Sequence, residues 1–152
     1  MKILACIRIR GRVDVQQPIN QTMDMLRIGI KHACSLIPDN QIGMLRKAKD
    51  YITWGEINKE TLVMLLKKRA MISNSKKVTE GYLKEKGTTF EKLADEILSG
   101  KSDLKTLGIK PFFRLNPPRK GYGKKGIKKA FKLGGPLGYR GENINDFLKG
   151  MM

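Results

Sequence analysis

Apolar and polar residues alternate along the first ten positions of the chain, "MKILACIRIR". Successive side chains of an extended strand point to opposite faces, so this alternation predicts a strand with one buried face. Arg8 and Arg10 fall on the open face of that strand. The positions that share the buried face are Ile3, Ala5, Ile7 and Ile9. We therefore expect a half-buried first strand over residues 2–10.

Helical and extended patterns then follow one another up to residue 57. Between residues 19 and 30 apolar positions recur at steps of three and four, which predicts a helix. Residues 31–38 predict a second strand, and the short polar residues after it suit a helix cap. A second helix would direct Ile42, Leu45 and Ala48 inward, and the β-formers of residues 51–57 predict a third strand. Residues 1–57 thus read β-α-β-α-β, and the pattern leaves the strand order open.

The rest of the chain is predicted to be mainly helical. A cap candidate at Asn58 precedes an amphipathic helix, and residues 88–100 predict another that stops at Gly100. Residues 73–87 are polar and show no clear period. Residues 110–121 indicate an extended segment ended by two prolines. The last twelve residues predict a short helix whose apolar face carries Ile144, Phe147 and Leu148.

The charge of the chain restricts its partners. Among 152 residues, 31 Lys and Arg stand against 14 Asp and Glu, a net charge of +17. Such a balance in a small chain indicates a polyanion, either nucleic acid or an anionic membrane surface. No window of the sequence approaches a membrane span, and the N-terminus is too short and too charged for a signal peptide. Two cysteines are too few for a disulfide framework and indicate a reduced, cytosolic setting.

Positive charge is concentrated toward the C-terminus. No acid occurs between Leu104 and Arg140, and seven of the fourteen residues from Arg119 to Lys132 are Lys or Arg. Frequent glycines loosen the backbone there, so we expect this tract to become ordered only against a partner. Tyr122 and Phe131 are interleaved with the cations and offer aromatic faces for stacking on RNA bases.

Several other motifs carry less weight. The letters "GYGKKG" at residues 121–126 match the glycine fingerprint of dinucleotide-binding proteins, but they lack a strand leading in and a second strand beyond. His32 and Cys34 are only two ligands, which do not make a zinc site. The carboxylates of Asp95 and Glu96 fit an exposed helix face among lysines. As the only histidine, His32 also leaves no arrangement that recommends a catalytic triad.

The phrases "FFRLNPPRKGY" and "GGPLGYRGENINDFLKGM", together with the opening β-α-β-α-β pattern, carry a resemblance over nearly the whole chain. The chain resembles the archaeal form of the large-subunit ribosomal protein family numbered thirty in bacteria and seven in eukaryotes. The resemblance implies an α+β fold, with a ferredoxin-like domain at residues 1–57 that has a three-stranded antiparallel sheet and two helices. A mainly helical, basic extension at residues 58–152 would follow, with its glycine-rich basic tract at residues 119–141.

The implied function is a structural constituent of the cytoplasmic ribosome that binds and packs large-subunit rRNA without catalysis. Neighbouring ribosomal proteins are expected partners, and 5S rRNA is a further candidate. We expect no cofactor, metal, membrane or small-molecule substrate. The alternative is an RNA-binding or RNA-chaperone module outside the ribosome. The RNA-binding candidates are Arg8, Arg10, Arg12, Arg114, Arg119, Lys120, Tyr122, Lys124, Lys125, Lys128, Lys129, Lys132 and Arg140. The helix-ending cations Lys67, Lys68 and Arg69 fit RNA binding and capping equally well.

Overall fold

A mixed sheet of five strands lies at the centre of the molecule, for which a computed structural model describes residues 2–72, 76–123 and 125–152. The strands are β1 (Ile3–Arg8), β2 (Ala33–Pro38), β3 (Ile52–Glu56), β4 (Phe112–Arg114) and β5 (Gly138–Tyr139), in the order β4-β2-β1-β3-β5. The first three are antiparallel neighbours, as in the expected three-stranded sheet. The fold is α+β, but the sheet is larger than the three strands expected.

The two additional strands come from the C-terminal part of the chain. β4 pairs antiparallel with β2, and β5 pairs parallel with β3. A three-stranded sheet leaves unpaired backbone N–H and C=O groups along its two outer strands. Because one added strand pairs with each outer strand, residues beyond 57 complete the sheet of residues 1–57.

In the part of the chain that the structure describes, six helices surround the sheet: α1 (Gln17–Met25), α2 (Ile42–Lys47), α3 (Lys59–Arg69), α4 (Glu80–Glu85), α5 (Phe90–Leu98) and α6 (Ile144–Met151). The first helix ends five residues earlier than its apolar spacing predicts. Arg27 adopts a left-handed conformation with φ of 59°, which stops the helical hydrogen-bond ladder just after Met25. α4 lies in the polar stretch that showed no period, and its cap is the side chain of Thr79, which accepts from the Tyr82 amide at 3.4 Å.

Both faces of the sheet are buried, each under its own group of helices. Leu4 and Cys6 of β1 pack with residues of α1 and α2 in one hydrophobic cluster. Ala5 and Ile7 point to the other face and join a second cluster formed largely by α3, α5 and α6. The expectation of a half-buried first strand is therefore wrong. The alternation separated the two faces correctly, but α1 and α2 cover the face of Leu4 and Cys6 that the pattern had left to solvent, and the C-terminal helices cover the face of Ala5 and Ile7.

The basic tract has more internal structure than the sequence suggested. A 3-10 turn spans Phe131–Leu133, Leu137 is buried, and the chain then enters β5. The expectation that the whole tract is ordered only against a partner is accordingly too broad, because its second half is tied to the sheet by backbone pairing. Lys124 lies outside the described residues. Within the described ranges, no helix combines the length and apolar character needed to cross a membrane.

Candidate nucleic-acid interface

The strand directions bring the basic segments to one end of the sheet. β1 and β4 end there, while β2, β3 and β5 begin there, as the pairs Arg8↔Ile52, Ala33↔Arg114 and Thr53↔Gly138 establish. We call this region the basic sheet end. It comprises Arg10, Lys31, Arg114, Arg119, Lys120 and the loop of residues 125–135, which we call the lysine loop.

Residues 116–119 run across the C-terminal end of α6 and stay at the basic sheet end. After β4, the amide of Asn116 donates to the carbonyl of Met151 at 2.9 Å, and the amide of Arg119 donates to that of Gly150 at 3.1 Å. These bonds satisfy carbonyls at the C-terminal end of the helix, where basic side chains are also favoured by the helix dipole. The crossing therefore holds Arg119 and Lys120, both exposed, beside the other cations.

Negative charge gathers at the opposite end of the sheet. The Tyr139 hydroxyl donates to Glu56 Oε1 at 2.6 Å. That hydrogen bond raises the pKa of Tyr139, and burial together with the charges of Glu56, Glu142 and Asp39 adds to the increase. Several carboxylates therefore lie at one end of the strands, and the cations of the basic sheet end lie at the other.

Arg8 is not part of the exposed basic surface, and its assignment as an RNA contact is corrected. Its side chain is completely buried. The guanidinium donates to the carbonyls of Arg10 (2.8 Å), Gly11 (2.9 Å), Gly29 (3.1 Å) and Ile28 (3.2 Å). Burial lowers its pKa, and the nearby charge of Arg12 lowers it further. A planar group with five donors suits this task, so Arg8 joins two loops rather than binding RNA.

The neighbouring arginines are only partly free. Arg10 donates to the carbonyl of Asp50 at 3.2 Å and lies 4.7 Å from the centroid of the Tyr51 ring. Arg12 forms an exposed ion pair with Asp24. Both side chains remain accessible at the basic sheet end, but each already has a protein partner, which a phosphate would have to replace or share.

Tyr122 connects the tract to the start of β2. Its hydroxyl hydrogen-bonds Nε2 of His32, and the two rings stack with centroids 6.1 Å apart. Lys31 Nζ lies 5.8 Å from the Tyr122 ring centroid. Burial lowers the pKa of His32, and the charge of Lys31 adds to this, so the neutral imidazole is favoured. Tyr122 thus anchors the backbone, and only part of its ring remains accessible. Lys31, which the sequence analysis missed, joins the site through this contact.

Cys34 is not a metal ligand in this arrangement. Burial raises the pKa of its thiol to about 12, and burial also raises the pKa of Cys6. A thiol binds metal as thiolate, which this environment disfavours. Among the described residues no group of three His, Cys, Asp or Glu side chains is placed to hold a metal ion.

The glycine motif at residues 121–126 has no dinucleotide-binding context. The described residues before it form a turn, in which the Gly121 amide donates to the Pro118 carbonyl at 3.0 Å, and β4 ends well before. The next regular element is the 3-10 turn at Phe131–Leu133 rather than a helix. The motif therefore lacks the helix N-terminus on which a pyrophosphate would sit.

Arg140 packs between the lysine loop and α6. Its guanidinium lies 4.7 Å from the ring centroid of Phe131 and 4.2 Å from that of Phe147, and it donates to Thr53 Oγ1 at 3.1 Å. Burial lowers its pKa to about 10. Arg140 is thus a structural cation that is partly buried, and Phe131 has one face covered by it.

The remaining candidates among the described residues are exposed and carry no ion pair. The ion pairs of the described ranges, Arg12 with Asp24 and Lys59 with Asp95, involve none of them. These exposed cations are Arg114, Arg119, Lys120, Lys125, Lys128, Lys129 and Lys132. In the α3 cluster, by contrast, Arg69 donates to the Met152 carbonyl at 2.8 Å and Lys67 lies over the Phe90 ring at 5.9 Å. Those contacts favour a structural role for the α3 cations.

Comparison with known proteins finds relatives that match nearly the whole chain. No family model matches it. It is 58% identical over 151 residues to the large ribosomal subunit protein uL30 of Nanoarchaeum equitans, covering 97% of each chain. Identity to the uL30 of Methanococcus maripaludis strain C5 is 48%, over 97% of this chain and 98% of that protein. The uL30 of Hyperthermus butylicus is 43% identical over all of this chain and 91% of its own length.

Proposed function

Because the chain belongs to the uL30 family of large ribosomal subunit proteins, we propose that it is a non-catalytic structural constituent of that subunit and binds rRNA through its basic sheet end. The topology of the sheet is the observation that supports this rRNA-binding surface. Five strands with different directions bring separate basic segments to one end, where Arg12 is the one exposed cation of the described residues that forms an ion pair.

The chemistry of this surface fits a phosphate backbone. Exposed lysines and arginines neutralise phosphates and release counterions, which supplies affinity without reading sequence. The two structural arginines, Arg8 and Arg140, hold loops in place and leave phosphate contacts to the exposed residues. Specificity would come from the shape of folded RNA, since side chains cannot read the deep groove of an A-form helix.

The division of labour between the two parts of the chain is also a proposal. Residues 1–57 would serve as the shared rRNA-binding core, and residues 58–152 would be the extension that completes the sheet and carries the lysine loop. The rRNA partner would belong to the large subunit, with neighbouring ribosomal proteins in contact. Contact with 5S rRNA stays a prediction.

Salt dependence of binding tests this function. For the wild-type protein and protein-free large-subunit rRNA, neutralising about six phosphates predicts a log–log salt slope on the order of −4 to −5. Replacing Lys125, Lys128, Lys129 and Lys132 with Gln should weaken binding and reduce the magnitude of the slope by up to about 3. The matched control removes four lysines of the α4 and α5 region, Lys84, Lys86, Lys92 and Lys101.

Equal effects of the two lysine sets would contradict an interface at the basic sheet end, since both remove the same net charge. A wild-type slope near zero would contradict electrostatic binding altogether. The alternative of an RNA chaperone outside the ribosome is tested separately: a subunit constituent should stay with the large subunit through a high-salt wash, whereas a peripheral chaperone should be released.

A further inference from the structure

The lysine loop has a closed backbone rather than an open chain. Its turn is held by five hydrogen bonds of 2.7–3.2 Å between backbone groups. The donor and acceptor pairs are Leu133 to Ala130, Gly134 to Phe131, Gly135 to Ala130, Phe131 to Leu137 and Leu137 to Lys129. A segment with this much internal pairing loses less conformational entropy on binding than a free lysine tail would.

Glycine at position 135 is necessary for this closure. A Cβ there would lie 2.0 Å from the carbonyl oxygen of Lys129, a distance that no side chain tolerates. Gly134 adopts φ of 86°, which favours glycine as well. The two residues therefore let the backbone turn back on itself directly after Leu133.

The apolar side chains of the loop point in different directions. Leu137 is buried beneath the loop, and Phe131 lies against Arg140. Leu133 has 63% of its surface exposed. A single exposed leucine is common on protein surfaces and by itself means little. Leu133 differs from an isolated surface leucine because the hydrogen-bonded turn of the lysine loop holds its side chain outward among exposed lysines.

The surroundings of Leu133 indicate the chemistry of its partner. Lys128, Lys129 and Lys132 lie within five residues of it, and the stem of Lys125 passes next to Gly134, where a Cβ would be 3.3 Å from the lysine Cδ. No acid occurs from Leu104 to Arg140 to neutralise them. A nucleotide carries an apolar base face within a few ångströms of its own phosphate, so an RNA strand with an unstacked base offers both kinds of contact together.

We propose that Leu133 packs against the face of an unstacked rRNA base while Lys125, Lys128, Lys129 and Lys132 contact the phosphates that flank it. The inference rests on the proposed function and adds a non-electrostatic contact at a defined residue. Apolar side chains that insert beside bases are a known means of binding deformed nucleic acid, and base contacts of this kind tolerate many sequences.

Leu133→Ala and Leu133→Met test the proposal with protein-free large-subunit rRNA from the same organism as the probe. We expect Leu133→Ala to lower affinity about tenfold, equivalent to about 1.4 kcal/mol, at every salt concentration. The log–log salt slope should stay at the wild-type value, because no cation is removed. Leu133→Met, which keeps an apolar side chain, should bind within about threefold of wild type.

Met25→Ala is the matched control. Met25 is also exposed, at 68%, but it lines a cleft with Ile3 and Pro38 at the opposite end of the sheet. It should bind rRNA like the wild type. Base-specific chemical probing adds a second readout: a base protected by the wild type should become reactive with Leu133→Ala alone, while phosphate protection around it persists.

Several results would overturn the proposal. One is wild-type affinity of Leu133→Ala; another is an affinity loss that also changes the salt slope. A third is unchanged rRNA binding combined with weaker incorporation into the subunit, which would assign Leu133 to a protein neighbour. Failure of the wild-type protein itself to bind rRNA in a salt-dependent way would instead contradict the proposed function, so the two failures can be told apart.

Discussion

Replacement of Arg8 by Met separates a structural arginine from an RNA-binding one. Arg8 is completely buried at the end of β1, and its guanidinium donates four hydrogen bonds to the carbonyls of Arg10, Gly11, Ile28 and Gly29. Methionine preserves much of the side-chain length but donates none of these bonds. We expect a large loss of stability and no direct loss of rRNA contacts.

The size of the loss follows from the contacts. Hydrogen bonds to a charged group contribute roughly 1.5–3 kcal/mol each, so four of them set an upper limit on the order of 6–12 kcal/mol. Removing the guanidinium also removes the cost of burying it, and water can reach some of the freed carbonyls. The expected net effect is about 3–5 kcal/mol, as for breaking other buried charged networks. That is a large share of the roughly 5–15 kcal/mol by which domains are stable.

Urea denaturation followed by circular dichroism measures this quantity, with Arg12→Met as the matched control. Arg12 is exposed and paired with Asp24, so its replacement should cost less than about 1 kcal/mol. At a temperature where Arg8→Met is still folded, its salt slope for rRNA binding should equal that of the wild type. A stability change within about 0.5 kcal/mol, or a slope reduced by one phosphate, would refute the structural assignment.

Three further predictions concern the packing of the sheet. Gly55→Ala would place a Cβ 2.1 Å from the Gly141 carbonyl, so we expect a loss of about 1–3 kcal/mol in urea denaturation as the turn before α6 is pushed away from β3. The pKa of His32 is lower in the folded state, so in acid the unfolded state binds more protons than the folded state does. The contribution of His32 to the free energy of unfolding should therefore be complete above about pH 6.5 and decrease as the pH falls below that value. His32→Gln should lack this decrease. A fragment of residues 1–57 should show native-like but marginal circular dichroism and bind a hydrophobic dye, because it keeps the α1 and α2 cluster yet exposes Ile7 and its neighbours; a fragment that stays unfolded even with osmolyte would show that α3 belongs to the same folding unit.

Local pattern predicted much of the secondary structure. The strand centred on Ala5 and the helices with apolar steps of three or four are present, because side-chain periodicity follows directly from backbone geometry. Boundaries were less predictable where a single backbone angle decides them, as at Arg27. α4 was missed because six residues with one buried leucine give little periodic signal. Its Thr79 cap was the available sequence signal.

Charge along the sequence indicated a polyanion partner and the most basic tract, because net charge does not depend on the fold. It could not show which cations are available to a partner. In the sequence Arg8 and Arg140 do not differ from the other arginines. In the structure the side chain of Arg8 is completely buried and that of Arg140 is partly buried. Availability depends on which carbonyls and rings surround a guanidinium, and those belong to distant segments.

The sequence by itself determined the three strands of residues 1–57, most helices, the family resemblance and the basic character of residues 119–132, all of which depend on residue identity and short-range spacing. Only the tertiary structure decided that β4 and β5 extend the sheet, that β1 is buried on both faces, and that separate basic segments meet at one end while Leu133 points outward among the lysines. Those features arise from pairing and packing between residues as far apart as Thr53 and Gly138. The periodicity of a short segment does not predict such contacts. Backbone N–H and C=O groups are the same in every residue, so which strands pair depends on where the apolar side chains of the whole chain can be buried.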